Sequence, residues 1–348
     1  MRRQKTVEWL IVLFMAGFVG LGFSAVRGRR PISNEKLESL FQKRRVTIAV
    51  TDSGLGGLTV IAEAIRRLKE TPVFERADFV FFNALFSAEG GYNALQTREE
   101  KVRIFNAALE SLDIRFHPDL ILIACNTLSV VYPDTPFSRR VKIPVIGIVE
   151  PGVELIARQL RDHPDSSVII FGTPTTISEG THRSALLGQG FPPARIYLQS
   201  CPELEAFIER DFAGDETGML ILGYVEEALQ KIPARRPPLL VSLNCTHYGY
   251  SLPLWEKAFR EAGAAPLAVL NPNARMTDAL IKPERAGRHK KNEVSARVVS
   301  MVEISPEKIS SLGRWLQTLS PETAEALRRY EHIPSLFKWK GLTSENSL

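Results

Sequence analysis

Cysteine is scarce in this chain: its 348 residues hold three, Cys125, Cys201 and Cys245. Three cannot all pair with one another, so the chain is not a disulfide scaffold. Histidine is also sparse, with six scattered residues and no CxxC or HxxxH spacing. No cluster therefore has the arrangement that holds a metal, and none is expected. Charge of one sign is only slightly in excess, at +5. Much of the basic surplus sits in two clusters, Arg27, Arg29, Arg30, Lys43, Arg44 and Arg45, and Lys282, Arg285, Arg288, Lys290 and Lys291. These read as solvated or headgroup-facing flanks. Aromatic and basic residues do not interleave as they do in single-strand binders, so no nucleic-acid partner is expected.

One apolar run stands apart from the rest. Residues 9–26 carry no charge, and Arg2, Arg3 and Lys5 precede them. Their length is near the lower limit for spanning a bilayer, and long for the apolar centre of a cleaved signal. The run predicts a single-pass N-terminal membrane anchor, with a cleaved signal as the alternative. Basic residues flank both ends, so the positive-inside rule barely decides orientation. Of the two sides, the periplasmic is favoured for the folded domain.

Beyond residue 45 the chain alternates short β-rich runs with helical patterns. Expected strands cover residues 46–50, 79–82, 120–124, 145–149, 167–171, 195–199 and 239–243. Their apolar runs do not alternate, which suits strands buried on both faces of a parallel sheet. Strand–helix alternation argues for βαβ units. The separation of Asp52 from Cys125 matches that of Thr173 from Cys245 to within one position. That near-repeat predicts an α/β fold of two pseudo-symmetric domains, each a mostly parallel sheet flanked by helices, with the active site in the cleft between them. The expected divisions are an anchor and basic linker (1–45), domain A (46–148 and about 272–319), domain B (149–271) and a C-terminal tail (320–348).

Two of the cysteines follow strand-length apolar runs directly. Cys125 comes before Asn126 and Thr127, and Cys245 before Thr246 and His247. Ligands in such sheets bind beyond the carboxyl ends of strands, so both thiols would sit at a site. They can equally be small buried hydrophobes, the usual fate of a free cysteine. Cys201, followed by Pro202, reads as structural. The turn Asp52-Ser53-Gly54-Leu55-Gly56-Gly57 could hold an anion on its amides, or could be a tight turn under a helix. It lacks the lysine of a P-loop and the full dinucleotide fingerprint. Glu150 can be a helix-initiating acid, and His247 a satisfied polar residue.

Taken together, residues 51–60 (TDSGLGGLTV), 124–129 (ACNTLS), 147–152 (GIVEPG), 172–177 (GTPTTI), Cys201-Pro202 and 244–248 (NCTHY) resemble the glutamate racemases of the aspartate/glutamate racemase superfamily. The matches run in order through about residues 46–281. The resemblance implies an isomerase without cofactor that racemises a small amino acid, L-glutamate to D-glutamate for peptidoglycan. Cys125 and Cys245 would be opposed acid/base thiols, with Asp52 assisting the first and His247 the second. Glu150 would lie behind the residues that touch the substrate or near its amino group. Ser53, Asn126, Thr127 and Thr246 would hold the α-carboxylate and amine. Family members are often dimers, so a homodimer is an expected assembly.

The substrate loop departs from the family. Residues 83–93 read NALFSAEGGYN, where the resemblance leads one to expect an Asp, an Arg and a Pro-Tyr-Gly turn. Of these only Tyr92 survives. The alternatives left open are a same-fold racemase for another substrate such as aspartate, a single-thiol enzyme of this fold, and a membrane-tethered binding protein with little catalysis.

Overall fold

The computed structural model describes residues 34–343, apart from 234–236 and 282. The first half of the fold contains α1 (Asn34–Leu40), β1 (Arg45–Asp52), α2 (Leu58–Glu70), β2 (Arg76–Asn83), α3 (Arg98–Phe116), β3 (Leu120–Ile123), α4 (Asn126–Val131), α5 (Pro136–Arg140) and β4 (Val145–Gly147). The second contains α6 (Val149–Asp162), β5 (Ser167–Gly172), α7 (Pro174–Glu179), α8 (Thr181–Gly188), β6 (Ile196–Ser200), α9 (Leu204–Arg210), α10 (Asp215–Gln230), β7 (Leu239–Asn244), α11 (Leu252–Glu261) and β8 (Ala268–Leu270). The chain then runs through α12 (Pro272–Met276), β9 (Glu293–Ser300), α13 (Pro306–Leu319), α14 (Pro321–Arg328) and β10 (Glu331–His332).

The strands form two sheets, ordered β10-β9-β2-β1-β3-β4 and β6-β5-β7-β8. Every pairing is parallel. Within the two sheets β2-β1-β3-β4 and β6-β5-β7-β8 are the same arrangement of first, second, third and fourth strands. The chain leaves β1 to one side for β2 and returns on the other for β3, and it does the same around β5. Each sheet thus has a switch point, between β1 and β3 and between β5 and β7, where ligands bind in open α/β sheets. Side chains of β3, β5 and β7 are buried on both faces, in keeping with runs that are apolar apart from Ser242 and the strand ends.

Helix α2 buries Leu58, Ile61, Ala62, Ile65 and Leu68, the face its sequence period predicts. Each such Leu or Ile contributes about 1.5–3 kcal/mol when fully buried. Helix α3 starts with a capping box, in which Thr97 Oγ1 accepts from the Glu100 amide and the Glu100 carboxylate accepts from the Thr97 amide.

Some expectations need adjustment. The fourth strand stops at Gly147, and residues 149 and 150 already belong to α6. Pro151 does not delay the helix, because an amide in the first turn has no intrahelical acceptor to lose. The segment after residue 319 is more than a tail: β10 extends the first sheet by pairing with β9. Part of the second basic cluster is engaged too, since Arg285 pairs with Glu38 and stacks 4.2 Å over the Phe41 ring. The anchor expected at residues 9–26 lies outside the described residues. Among the described residues, no helix is long and apolar enough to cross a membrane.

Candidate active site

The two switch points face one another across a cavity of about 210 Å³. Strand β1 delivers Asp52 and Ser53 to it, and the end of β3 delivers Cys125, Asn126 and Thr127. From the other sheet, β7 delivers Asn244, Cys245, Thr246 and His247, while Thr173 and Thr176 follow β5. Tyr92 and residues 85–93 close one side. Of the residues expected at the site, Asp52, Ser53, Tyr92, Cys125, Asn126, Thr127, Cys245, Thr246 and His247 all line this cavity. Glu150 does not: it is exposed, in the first turn of α6. Cys201 is fully buried outside the cavity, as a structural thiol would be.

The glycine turn after β1 serves close approach between the sheets. A Cβ on Gly56 would fall 2.3 Å from Thr246 Oγ1 and 2.8 Å from the His247 amide nitrogen. A side chain there would push the second cysteine loop away from Asp52. The anion-binding reading of this turn is therefore unnecessary to explain its glycines.

Each thiol has its own polar company. Cys125 Sγ shares a hydrogen bond with Ser53 Oγ at 3.1 Å. Asp52 accepts from the Ser53 amide at 2.7 Å and from Thr246 Oγ1 at 2.7 Å, so this carboxylate links the two halves. Cys245 Sγ lies 3.6 Å from His247 Nδ1. The other imidazole nitrogen, Nε2, donates to Glu209 Oε1 at 2.8 Å, and Lys308 donates to Glu209 Oε2 at 2.7 Å. Glu209 Oε1 also accepts from the Leu55 amide at 2.8 Å.

Burial dominates the electrostatics. It pushes the Cys125 thiol up to about 12, helped by the negative charge of Asp52. The same cause raises Cys245 well above the ordinary thiol range, with the Glu205 charge adding to it. Desolvation raises Asp52 as well, against the opposing pull of His247 and its hydrogen bonds. For His247, burial disfavours the imidazolium, but the Glu209 hydrogen bond and charge outweigh it and the net shift is upward. Burial likewise disfavours the Glu209 carboxylate, yet His247 and Lys308 bring it down to about 2. The site thus holds two neutral thiols, one beside a carboxylate and one beside an imidazole with a carboxylate behind it.

Three side chains in the lining lack any hydrogen-bond partner within the protein, and one oxygen of a fourth, Glu205 Oε2, lacks one too. Both amide atoms of Asn126, both of Asn244 and the hydroxyl of Tyr92 are buried without a hydrogen bond. Such groups cost roughly 1–3 kcal/mol each unless a ligand satisfies them. Asn126 beside Cys125 and Asn244 beside Cys245 are suited to bind a carboxylate or an ammonium group. Among the described residues, no group of three or more His, Cys, Asp and Glu side chains could hold a metal ion.

Glu205, Glu209, Asn244 and Lys308 were not singled out from the sequence. Asn244 could have been, since it directly precedes Cys245. The other three come from α9 and α13, far from both cysteine motifs in the chain.

The family model for Asp/Glu/Hydantoin racemase matches residues 79–274. The chain is 27% identical over 232 residues to a glutamate racemase of Syntrophus aciditrophicus, covering 67% of this chain and 77% of that protein. It is 30% identical over 205 residues to a glutamate racemase of Lysinibacillus sphaericus, covering 58% and 69%. Two solved structures share the fold. One is glutamate racemase isoform RacE1 from Bacillus anthracis (TM-score 0.62, 21% identity, 84% of this chain and 99% of that one). The other is glutamate racemase from Francisella tularensis in complex with D-glutamate (TM-score 0.60, 20% identity, 83% and 97%). With more than half of its length matched by the family model, and its two cysteines on equivalent strand ends, the chain belongs to the Asp/Glu/Hydantoin racemase family.

Proposed function

We propose that this chain is a cofactor-independent glutamate racemase that works by two opposed thiols. The observation that carries this reading is the pairing of Cys125 and Cys245, delivered by corresponding strands of two sheets into one cavity. One thiolate takes the α-proton, forming S–H as the Cα–H bond breaks. The electron pair left on Cα delocalises into the α-carboxylate, where Asn126, Thr127 and Thr246 offer donors. The opposite thiol returns its proton to the other face, and the two sulfurs exchange protonation states. Asp52 is placed to assist Cys125, and His247, whose imidazolium Glu209 favours, to assist Cys245.

Raised thiol pKa values fit the task. An α-proton is a very weak acid, and a thiolate that is hard to form is a stronger base once formed. A substrate ammonium bound between Asp52 and the thiols would help to form it.

A second reading is a racemase of the same type for a different amino acid. No arginine among the described residues lines the cavity, and Glu205 does. Both features are unusual in a pocket for a second carboxylate. The product, if D-glutamate, would feed peptidoglycan. Residues 9–26 would tether the enzyme to a membrane, which fractionation of cells expressing the full chain would check.

Proton NMR in heavy water tests the function, with full-length protein, reductant, and L- and D-glutamate beside a panel of amino acids. Loss of the α-proton signal from glutamate supports the leading reading, and loss from another amino acid supports the second. Folded protein with free thiols and no exchange from any of them would overturn both.

A further inference from the structure

The last described segment of the chain is fastened against the loop of residues 83–93. After β10, the Ile333 amide donates to Ser300 O at 2.8 Å. Helix α3 then holds the backbone at three points. Ser111 Oγ donates to Leu336 O, Arg115 donates to Ser335 O at 2.8 Å, and Arg103 donates to Leu342 O at 3.1 Å. Leu336 and Phe337 are buried. The Phe337 ring packs 5.9 Å from Phe82, and Trp339 packs 5.0 Å from Phe86.

Phe86 is where this packing reaches the site. Its ring meets Tyr92 edge-on at 5.3 Å, and Tyr92 meets Phe105 edge-on at 6.4 Å. Tyr92 is buried, lines the cavity, and has a hydroxyl with no partner in the protein. Between Phe86 and Tyr92 the chain has no helix or strand, contains Gly90 and Gly91, and exposes Ala88 and Glu89. Ordering such a stretch costs about 1–2 kcal/mol per residue, so it needs anchors at both ends. Phe86 and Tyr92 are those anchors, and Trp339 covers the outer side of Phe86.

We infer that Trp339 is a positioning residue for the substrate loop: through Phe86 it fixes Tyr92, and so sets how tightly the substrate is held. This rests on the racemase reading of the site. Trp339 lies beyond the stretch matched by the family model, which ends at residue 274. The segment therefore supplies, from outside that stretch, support that the loop's own residues do not give.

The test uses full-length enzyme carrying Trp339→Ala, Trp339→Phe, Tyr92→Phe and the Ala/Phe double variant, with glutamate as substrate. Trp339→Ala should raise KM about ten-fold or more with a much smaller change in kcat, because a misplaced binding group far from the chemistry costs positioning. Trp339→Phe should restore most of the affinity. Tyr92→Phe should raise KM in the wild-type background and add little to Trp339→Ala, since the two act on one contact. Hydrogen exchange of amides 84–92 should quicken in Trp339→Ala while the β1 and β3 amides stay protected. Unchanged KM, additive effects, or unchanged loop exchange in folded Trp339→Ala would overturn the inference. If wild-type enzyme does not turn glutamate over, the glutamate reading falls, and the exchange measurement still decides whether Trp339 holds the loop.

Discussion

The His247 imidazole donates from Nε2 to Glu209 Oε1 across 2.8 Å, while its Nδ1 faces Cys245 Sγ at 3.6 Å. Lys308 holds the other Glu209 oxygen. The carboxylate therefore fixes the ring's orientation and favours its protonated form beside the thiol. Glu209→Gln should lower the His247 pKa and cut racemisation, kcat falling further in the direction that needs Cys245 as the base while kcat/KM falls equally in both. It should also destabilise the protein, since His247 and Lys308 lose the carboxylate they share. Denaturant unfolding and progress curves started from each enantiomer measure the two effects.

The same trio sets a pH window for stability. Glu209 is held at about 2 in the folded protein against an ordinary 4.5. Its contribution is present above the unfolded value and fades as pH falls from about 4.5 towards 2. His247 is raised above 6.5. Its contribution is full below that value and is lost as pH rises through the folded one. Thermal unfolding should thus show an acid decline that Glu209→Gln flattens. An identical acid decline in the variant would sink this assignment.

Each thiol should be indispensable. Cys125→Ser and Cys245→Ser should each lower racemisation by about 10²–10⁴-fold, the usual weight of a positioned acid or base. Burial of both side chains makes a fold check necessary, and circular dichroism supplies it. An enzyme that kept near wild-type turnover after losing either thiol would be using one cysteine, and the two-thiol mechanism would fail.

The cysteine motifs could be found in the sequence because strand ends in parallel sheets are where ligands bind. A largely apolar run therefore told both the burial of β3 and β7 and the place of Cys125 and Cys245. Asn126, Thr127, Thr246 and His247 came with them as immediate neighbours of those ends, and Asp52, at the end of β1, came through the family resemblance. Glu209 and Lys308 could not be found that way. They stand 99 positions apart on α9 and α13, and only the tertiary fold brings both against His247. Glu150 went astray for a local reason. Helix α6 begins at Val149, and Glu150 then falls on its outer side in the first turn. The role of the C-terminal segment was equally hidden, since its contacts with Phe82 and Phe86 join residues far apart in the chain.

Glu205 lines the same cavity as Cys245. Its Oε1 accepts from Asn93 at 3.1 Å, and its Oε2 is buried without a partner. Its negative charge disfavours the Cys245 thiolate, second only to burial in raising that pKa. Glu205→Gln removes the charge and keeps the shape, so the alkaline limb of the kcat/KM profile should move to lower pH. The KM for glutamate should fall as well, because a carboxylate no longer faces the substrate's own. An unmoved profile would mean that Glu205 does not reach the thiol's field.

Asn126 offers the clearest separation of stability from function. Its side chain is buried, and neither amide atom has a partner in the protein. An unsatisfied buried amide costs roughly 1–3 kcal/mol, and an apolar group of the same shape avoids that cost. Leu keeps the branched outline of Asn and its larger methyl groups can extend into the adjoining cavity, so the unliganded Asn126→Leu variant should unfold at a higher temperature than the wild type. It should also lose most racemase activity, because the amide beside Cys125 is the donor placed for the α-carboxylate. Glutamate should raise the unfolding temperature of the wild type by mass action, and should do so far less for the variant. A variant that is both less stable and still active would show that the Asn126 amide is a packing group and not part of the substrate site.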